Sequence, residues 1–164
     1  MAAGSEPLVV NTGPLIALSA CGNLDLLERL HSPVIVPAVV MTEFQRGPAG
    51  MVPGAILRPS WIHVRPNASP PPASLVHQLD PGEAAVISLA LERSVALVAI
   101  DERRGRLVAR AHGLRVVGSI GILLRAKRQG LVPALRPCIE KMRAAEVWLS
   151  DRLCSSALRE AGEE

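Results

Sequence analysis

Residues 8–18 read LVVNTGPLIAL, a short apolar run that ends at Asn11 and leads directly into a pattern of helical spacing. This arrangement recurs along the chain, where short apolar runs rich in β-branched residues alternate with longer helical patterns. The runs are residues 8–10, 34–36, 95–100 and 114–117. Continuous apolar runs of this length are typical of parallel strands that are buried on both faces. The alternation therefore predicts an α/β layered domain with right-handed crossover connections.

Helices are predicted between and after these runs, in one domain that spans residues 1–164. The first, over 14–30, is expected to break near residues 21–23, where a glycine and an asparagine follow a cysteine. The others are predicted over 38–46, 81–93, 103–112, 120–129, 134–145 and 150–160. Residues 47–72 are rich in proline and glycine and contain one strand-like stretch, 61–64, so they are interpreted as an excursion from this domain. Residues 131–164 are interpreted as C-terminal helices.

The last predicted helix carries apolar residues at helical spacing. They are Leu149, Leu153, Ala157 and Leu158. Such a stripe either packs onto the core of the same chain or forms a dimer contact, and the core is the simpler interpretation.

Composition limits the possible classes of protein. The chain has 164 residues, of which 49% are hydrophobic and 20% are charged. This balance predicts a soluble globular domain and does not match the signature of a disordered chain. Aromatic residues make up only 2%, namely Phe44, Trp61 and Trp148. Aromatic base-stacking platforms are therefore nearly excluded, and we expect nucleic-acid contacts to depend on charge and shape.

Cysteine usage and hydropathy indicate the compartment. Cys21, Cys138 and Cys154 are odd in number and lack CxxC spacing, which argues against a disulfide framework and a zinc site. No stretch reaches the roughly 18 apolar residues that a spanning helix needs, and the N-terminal residues lack the basic start of a secretion signal. These features predict a cytoplasmic protein that is not embedded in a membrane.

Polar side chains follow the predicted strands. In an open parallel sheet, ligands bind beyond the carboxyl ends of the strands, near the point where the strand order reverses. Asn11 follows the first predicted strand, Asp101 follows the third, and Glu43 lies on the helix after the second. Glu83 begins the helix that precedes the strand ending at Asp101. We therefore expect these four side chains to face one crevice.

The chemistry of this set points to a cation. Three carboxylates in a partly buried crevice repel one another unless a positive charge lies between them. Mg²⁺ and Mn²⁺ prefer carboxylate, amide and water oxygens, and a site with few protein ligands leaves room for a substrate phosphate. Such an ion can lower the pKa of a bound water and stabilise a leaving oxygen. The set therefore predicts metal-dependent nuclease chemistry.

Each of the four residues also has a purely structural interpretation. Asp80-Pro81-Gly82-Glu83 matches a helix start, with Glu83 as the acid of a capping box. Asp101 and Asn11 each precede a predicted helix and suit an N-cap, and Glu43 suits a solvated helix face. The coincidence of the four positions, and no single residue, supports the site.

Other sites have weaker support. The four histidines, His31, His63, His77 and His112, lack mutual metal-ligand spacing. The chain has no GxSxG, GxGxxG or GxxxxGK[ST] motif, so hydrolase-triad, dinucleotide and P-loop functions lose their usual signature. Ser119 follows a predicted strand and begins a helix, where it suits either a phosphate contact or a helix cap.

Five ordered blocks of the chain resemble the PIN-domain family. The blocks are VVNTGPLIAL (9–18), VIVPAVVMTEF (34–44), GEAA (82–85), AIDERR (99–104) and VGSIGILL (117–124). The resemblance runs from about residue 8 to 160 and omits only the proline-rich middle. The blocks are similar to those of a prokaryotic subgroup related to the VapC-type toxin ribonucleases.

This resemblance implies a three-layer α/β/α sandwich with a central parallel sheet and a Mg²⁺ or Mn²⁺ site. Matched by position, Asn11, Glu43, Glu83 and Asp101 take the four acidic places, so they are the implied catalytic and metal-binding residues. The resemblance also implies an endoribonuclease that hydrolyses RNA phosphodiesters. It further implies the toxin role in a toxin-antitoxin pair, with an antitoxin protein and a homodimer as possible partners.

The chain departs from the family pattern at Asn11. Most active PIN nucleases have aspartate at this place, whereas asparagine is neutral. The loss of one charge beside a divalent ion is expected to weaken its binding by up to a few kcal/mol, since Coulomb energies rise as the effective dielectric falls. The alternative function is therefore a catalytically silent PIN-like domain that binds RNA or protein. A phosphorylation receiver domain is disfavoured, because paired acids after the first strand and a lysine after the last are missing.

Positive charge is concentrated late in the chain. Eleven of the eighteen Lys and Arg residues fall between Arg103 and Arg143, where Glu140 is the sole acid. Two basic helices, one after Asp101 and one after Ser119, are expected to flank the crevice and to neutralise phosphates. The alternative is a solvated helix face with cations near helix C-termini. The predicted nucleic-acid-binding residues are Arg103, Arg104, Ser119, Arg125, Lys127 and Arg128.

Overall fold

The computed structural model describes residues 5–46 and 58–164. Within these ranges the chain forms a five-stranded, fully parallel sheet of order β3-β2-β1-β4-β5. The strands are β1 (Leu8–Val10), β2 (Val34–Pro37), β3 (Ile62–Arg65), β4 (Leu97–Ala99) and β5 (Arg115–Val117). The predicted strands are confirmed, and so is the parallel sheet.

The helices of the described ranges lie between and after the strands. They are α1 (Thr12–Ala20), α2 (Leu26–Leu30), α3 (Ala38–Arg46), α4 (Ala73–Val76), α5 (Pro81–Glu92), α6 (Arg103–Ala111), α7 (Ser119–Arg128), α8 (Arg136–Ala144) and α9 (Asp151–Glu160). The break expected near residues 21–23 is confirmed, because Gly22 adopts a φ of 74° between α1 and α2. The short α4 is an addition to the predicted helices.

The predicted proline-rich excursion is only partly described. Residues 47–57 lie outside the described residues. The strand-like stretch at 61–64 is confirmed as part of β3, which pairs with β2 at one edge of the sheet. The excursion therefore contributes the edge strand of the same sheet.

The strand order reverses beside β1. From β1 the chain moves outward to β2 and β3, and it then returns to β4 on the other side of β1. Val9 and Val10 pair with Val98 and Ala99 of β4, which brings the carboxyl ends of these two strands together. Such a reversal opens a crevice beyond the strand ends, and that is where parallel α/β sheets bind ligands.

Helices cover the sheet to give a three-layer α/β/α arrangement. α5 packs across β1, β2 and β4, and its apolar residues are buried almost throughout. α1 contacts α7 and α8, and α2 also contacts α7. All three residues of β1 are completely buried, as expected for a central strand covered on both faces.

The apolar stripe that Leu149 forms with three residues of α9 belongs mostly to the core. Ala157 is buried, and Leu149 and Leu158 pack against the core as partly buried residues, whereas Leu153 is 46% exposed. The core interpretation of the stripe is therefore confirmed for three of its four residues.

None of the helices in the described ranges is both long enough and apolar enough to span a bilayer.

One carboxylate ties the C-terminal segment to the body of the domain. Glu163 accepts hydrogen bonds from the backbone N–H groups of Leu135 and Arg136, at 2.7 and 3.1 Å, and forms an ion pair with Lys127 at 2.8 Å. Burial acts to raise the pKa of Glu163, but these three donors outweigh it and lower that pKa to about 2. Glu163 thus joins the ends of α7 and α9 to the start of α8.

We expect Glu163→Gln to lower the free energy of unfolding at pH 7 by about 1–2 kcal/mol, because an amide replaces a charged acceptor. The melting temperature should fall by about 2–8 °C. The wild-type carboxylate keeps this advantage above its ordinary pKa of 4.5, and the two proteins should converge as the pH falls toward 2. Thermal unfolding followed by circular dichroism between pH 2 and 8 measures this difference.

Glu164→Gln is the matched control, since Glu164 has only an exposed ion pair with Arg159. An equal loss of stability in both variants, or a difference that does not change with pH, contradicts the role of Glu163.

Candidate active site

The residue between β1 and α1, Asn11, lies where the carboxyl ends of β1 and β4 meet. The backbone N–H of Asn11 donates to the carbonyl of Ala99 at 3.0 Å, which ties the end of β1 to β4. Asn11 occupies the N-cap position of α1, but within the described residues its side chain makes no capping hydrogen bond. The side chain is buried, and its Oδ1 has no hydrogen-bond partner in the part of the chain that the structure describes. Burying an unpaired acceptor is costly, so the capping interpretation does not account for this residue.

Glu43 faces the same turn from α3. Its Oε2 accepts a hydrogen bond of 2.8 Å from the Thr12 hydroxyl. Both carboxylate oxygens of Glu43 and the Oδ1 of Asn11 lie within 3.2 Å of the point where a Cβ on Gly82 would stand. Glu43 is therefore a half-buried crevice residue, and the solvated-face interpretation is wrong.

Glu83 is both a cap and a crevice neighbour. The Asp80 side chain accepts from the Glu83 N–H at 2.8 Å, and the Glu83 carboxylate accepts from the Asp80 N–H at 3.3 Å. The predicted capping box is confirmed. The side chain is also buried, and burial, followed by the charge of Asp80 and then those of Glu102 and Glu43, raises the pKa of Glu83. The crevice thus contains excess negative charge.

Asp101 lies at the exposed rim, beyond the end of β4. Glu102, and not Asp101, occupies the N-cap position of α6, so the capping interpretation of Asp101 is wrong. Its carboxylate instead accepts from the Ser119 N–H at 2.8 Å and from the Ser119 hydroxyl. Gly13, in the first turn of α1, faces Asp101, and its Cβ position lies at an ordinary contact distance of 3.6 Å from that side chain. Residues 11–13 therefore lie close to two different acids. Thr12 donates to Glu43, and Gly13 faces Asp101.

Arg106 is the cation beside this rim. Its Nη1 donates to the Ile100 carbonyl at 3.0 Å, and this Nη1 and Asp101 Oδ1 lie 2.8 and 2.9 Å from the Cβ position of Gly118. Burial and the nearby charge of Arg110 lower the pKa of Arg106, while Asp101 acts to raise it. The guanidinium is thus held next to the Asp101 carboxylate.

The predicted nucleic-acid-binding residues fall into separate groups. Arg103 and Arg104 are exposed at the start of α6, next to Asp101, and Arg104 Nε donates to the Gln78 carbonyl at 2.9 Å. Ser119 is completely buried, and its N–H and hydroxyl are both directed at Asp101. It holds an acid in place, and this placement disfavours the phosphate contact.

The basic end of α7 lies away from the crevice. Arg125, Lys127 and Arg128 follow Ser119 by up to nine residues, so the end of α7 lies about 14 Å from its start. Lys127 and Arg128 form ion pairs with Glu163 and Glu160. Arg125 lies near His31, which precedes β2 at the amino edge of the sheet. Burial, followed by the charge of Arg125, lowers the pKa of His31. The expectation that these three cations flank the crevice is therefore wrong.

The four predicted residues fit a hard divalent cation by their chemistry. Within residues 5–46 and 58–164, no group of three His, Cys, Asp or Glu side chains is preassembled for a metal ion. The carboxylates of Glu83 and Asp101 accept hydrogen bonds from the Asp80 N–H and from Ser119. Asn11 Oδ1, however, is a buried acceptor without a partner, and the donors are all oxygen atoms.

Sequence reasoning missed the residues that make room for the acids. Thr12 orients Glu43, while Gly82 and Gly105 leave space for the oxygens of Glu43 and Glu83. A Cβ on Gly105 would lie 2.8 Å from Glu83 Oε1. The available signal was the position of each residue, since Thr12 and Gly82 are direct neighbours of two predicted site residues.

Comparison with known proteins identifies the fold family. A family model described as a PIN domain matches residues 7–163, which is almost the whole chain. No curated protein and no solved structure matches the chain.

We expect Gly82→Ala to weaken Mn²⁺ binding by about 10-fold or more, the usual effect of displacing a group that orients a metal ligand. The added methyl group would lie 2.8 Å from Glu43 Oε2, so the flexible carboxylate must move away. Isothermal titration calorimetry with Mn²⁺ measures the change.

Gly13→Ala is the matched control, because its methyl group would make only an ordinary contact with Asp101. Equal Mn²⁺ affinities for the two alanine variants would contradict the convergence of Glu43 and Asn11 on Gly82.

Proposed function

The chain belongs to the PIN-domain family, and we propose that it is a Mg²⁺- or Mn²⁺-dependent endoribonuclease. Membership of this family suggests nuclease-like function and nucleic-acid binding, and PIN domains generally use divalent metal ions. The observation that carries the proposal is the unpaired, buried Oδ1 of Asn11 beside the carboxylate of Glu43. An acceptor in this position gains a partner when a cation binds.

Asn11, Glu43, Glu83 and Asp101 are the residues that would hold the ion. A bound divalent cation lowers the pKa of a water ligand and offsets negative charge at the phosphodiester. Burial, followed by the charges of Asp80, Glu102 and Glu43, raises the pKa of Glu83, and a bound cation would favour its charged form. The oxygen ligands and the excess negative charge of the crevice both favour a divalent cation.

Neighbouring residues position the acids and the substrate. Ser119 holds the Asp101 carboxylate with two hydrogen bonds, and Thr12 holds that of Glu43. Arg106 lies beside Asp101. There its positive charge can neutralise a phosphate, and its remaining N–H groups can donate to the phosphate oxygens. Because Arg103 and Arg104 are exposed on the same helix, RNA affinity should fall steeply with salt concentration.

The proposed biological role is that of a cytoplasmic toxin in a toxin-antitoxin pair. The ordered sequence blocks similar to those of the VapC-related subgroup support this role. It brings two further proposed partners, an antitoxin protein and a second copy of the chain.

Purified protein should cut single-stranded RNA when Mn²⁺ or Mg²⁺ is present, and a chelator should stop the reaction. We expect Asp101→Ala to lower the rate by at least about 100-fold, since it removes both a metal ligand and the partner of Ser119. Gel analysis of labelled RNA measures the rate.

Asp25→Ala is the control, because Asp25 forms only an exposed ion pair with Arg29. If cleavage survives Asp101→Ala or chelation, the proposal is wrong.

A second candidate function is a catalytically silent domain that binds RNA or protein. Two observations favour it, namely the neutral Asn11 in the first acidic place and the lack of three preassembled acids among the described residues. Metal binding separates this candidate from the nuclease.

We expect wild-type protein to bind Mn²⁺ saturably, and Asn11→Asp to tighten binding by about 10-fold or more, because it adds one negative charge at the ion. Isothermal titration calorimetry measures both affinities. Gln129→Glu, which adds the same charge at the exposed far end of α7, should leave the affinity unchanged. Wild-type protein without saturable binding would favour the silent domain.

A further inference from the structure

A groove opens from the rim of the candidate site. Its volume is about 430 Å³, within the range of about 300–1,000 Å³ typical of small-molecule sites. Asp101 and Arg106 line one end, and the walls are mainly apolar side chains from β5, α7, α9 and the segment that leads into α9. The groove is therefore continuous with the site. Its walls are mainly apolar, whereas the site consists of carboxylate and amide groups.

Trp148 lines this groove with an unusually exposed ring. It is 84% exposed, although all three aromatic residues lie in the described ranges and the other two, Phe44 and Trp61, are buried and partly buried. A ring of this size in water leaves much apolar surface uncovered beside an apolar groove. Trp148 is thus the most exposed of the three aromatic residues.

The backbone around Trp148 is anchored on both sides. The Val147 N–H donates to the Met142 carbonyl at 3.0 Å, and Arg143 donates to the Leu149 carbonyl at 3.3 Å and forms an ion pair with Asp151. Ser150 then caps α9 by accepting from the Leu153 N–H. The ring therefore projects from a segment with fixed ends, which suits a binding surface.

The two ends of the groove differ in how their cations are engaged. At one end the guanidinium of Arg106 lies beside Asp101, and at the other Glu160 forms an ion pair with Arg128. Arg106 forms no ion pair among the described residues and can donate to a phosphate, whereas Arg128 is paired with Glu160. The apolar walls and the Trp148 ring favour a flat, uncharged ring. A nucleotide combines these two chemistries in one molecule.

We propose that the groove binds a base of single-stranded RNA, stacked on Trp148, while the adjoining phosphate lies at the Arg106 end. The inference rests on the proposed nuclease function and adds to it a subsite that selects unpaired RNA, because a base in a duplex cannot reach the ring. It differs from the expectation from composition that aromatic base-stacking platforms are nearly excluded. One exposed tryptophan is sufficient for one base.

The test compares two oligomers that differ only in their bases. The probes are an eight-nucleotide oligoadenylate and an abasic oligomer with the same number of phosphates, each titrated in EDTA so that no cleavage occurs. Trp148→Ala should weaken binding of oligoadenylate by about 10-fold or more, the usual effect of losing one stacking platform. Binding of the abasic oligomer should change less than about twofold, and Trp148→Phe should restore most of the affinity for oligoadenylate.

Leu107→Ala is the matched control, because Leu107 is also an exposed apolar residue but does not line the groove. If Trp148→Ala leaves oligoadenylate affinity unchanged while Mn²⁺-dependent cleavage still requires Asp101, the subsite is wrong and the nuclease stands. If wild-type protein neither binds nor cuts RNA, both are wrong. If Trp148→Ala dissociates a dimer in sedimentation without changing RNA affinity, the groove is a protein interface and the subsite is wrong.

Discussion

Electrostatic repulsion at the carboxyl edge of the sheet is the constraint on which the candidate site depends. The reversal of strand order between β1 and β4 brings Asn11, Glu43 and Glu83 to one crevice, with Asp101 at its rim. In this crevice burial, and after it the charges of Asp80, Glu102 and Glu43, raises the pKa of Glu83, and Asn11 Oδ1 has no hydrogen-bond partner among the described residues. A protein keeps such an arrangement when a ligand compensates for it.

Small residues let the backbone approach the acids. Gly82 and Gly105 leave space that a methyl group would fill, and Thr12 and Ser119 donate hydrogen bonds to the carboxylates of Glu43 and Asp101. These contacts place the carboxylates before any ligand binds, which lowers the cost of ordering them. Within residues 5–46 and 58–164, no three acids form a preassembled group.

The sequence was sufficient to predict the sheet and much of the crevice. Apolar runs marked the strands, because central parallel strands such as β1 are buried on both faces and lack polar alternation. The acids could be placed because strand ends meet at one edge. The positions of Arg125, Lys127 and Arg128 could not, since charge along a sequence does not reveal which end of a helix faces the site. The exposure of Trp148 was equally hidden, because it depends on how α8 and α9 pack.

The most direct test of the metal-binding crevice is anomalous diffraction from crystals of the wild-type protein grown with Mn²⁺. We expect one strong peak within about 2.0–2.6 Å of Asn11 Oδ1 and of oxygens from at least two of Glu43, Glu83 and Asp101. A crevice without a peak at saturating Mn²⁺, or a peak bound only by residues elsewhere on the surface, would contradict it.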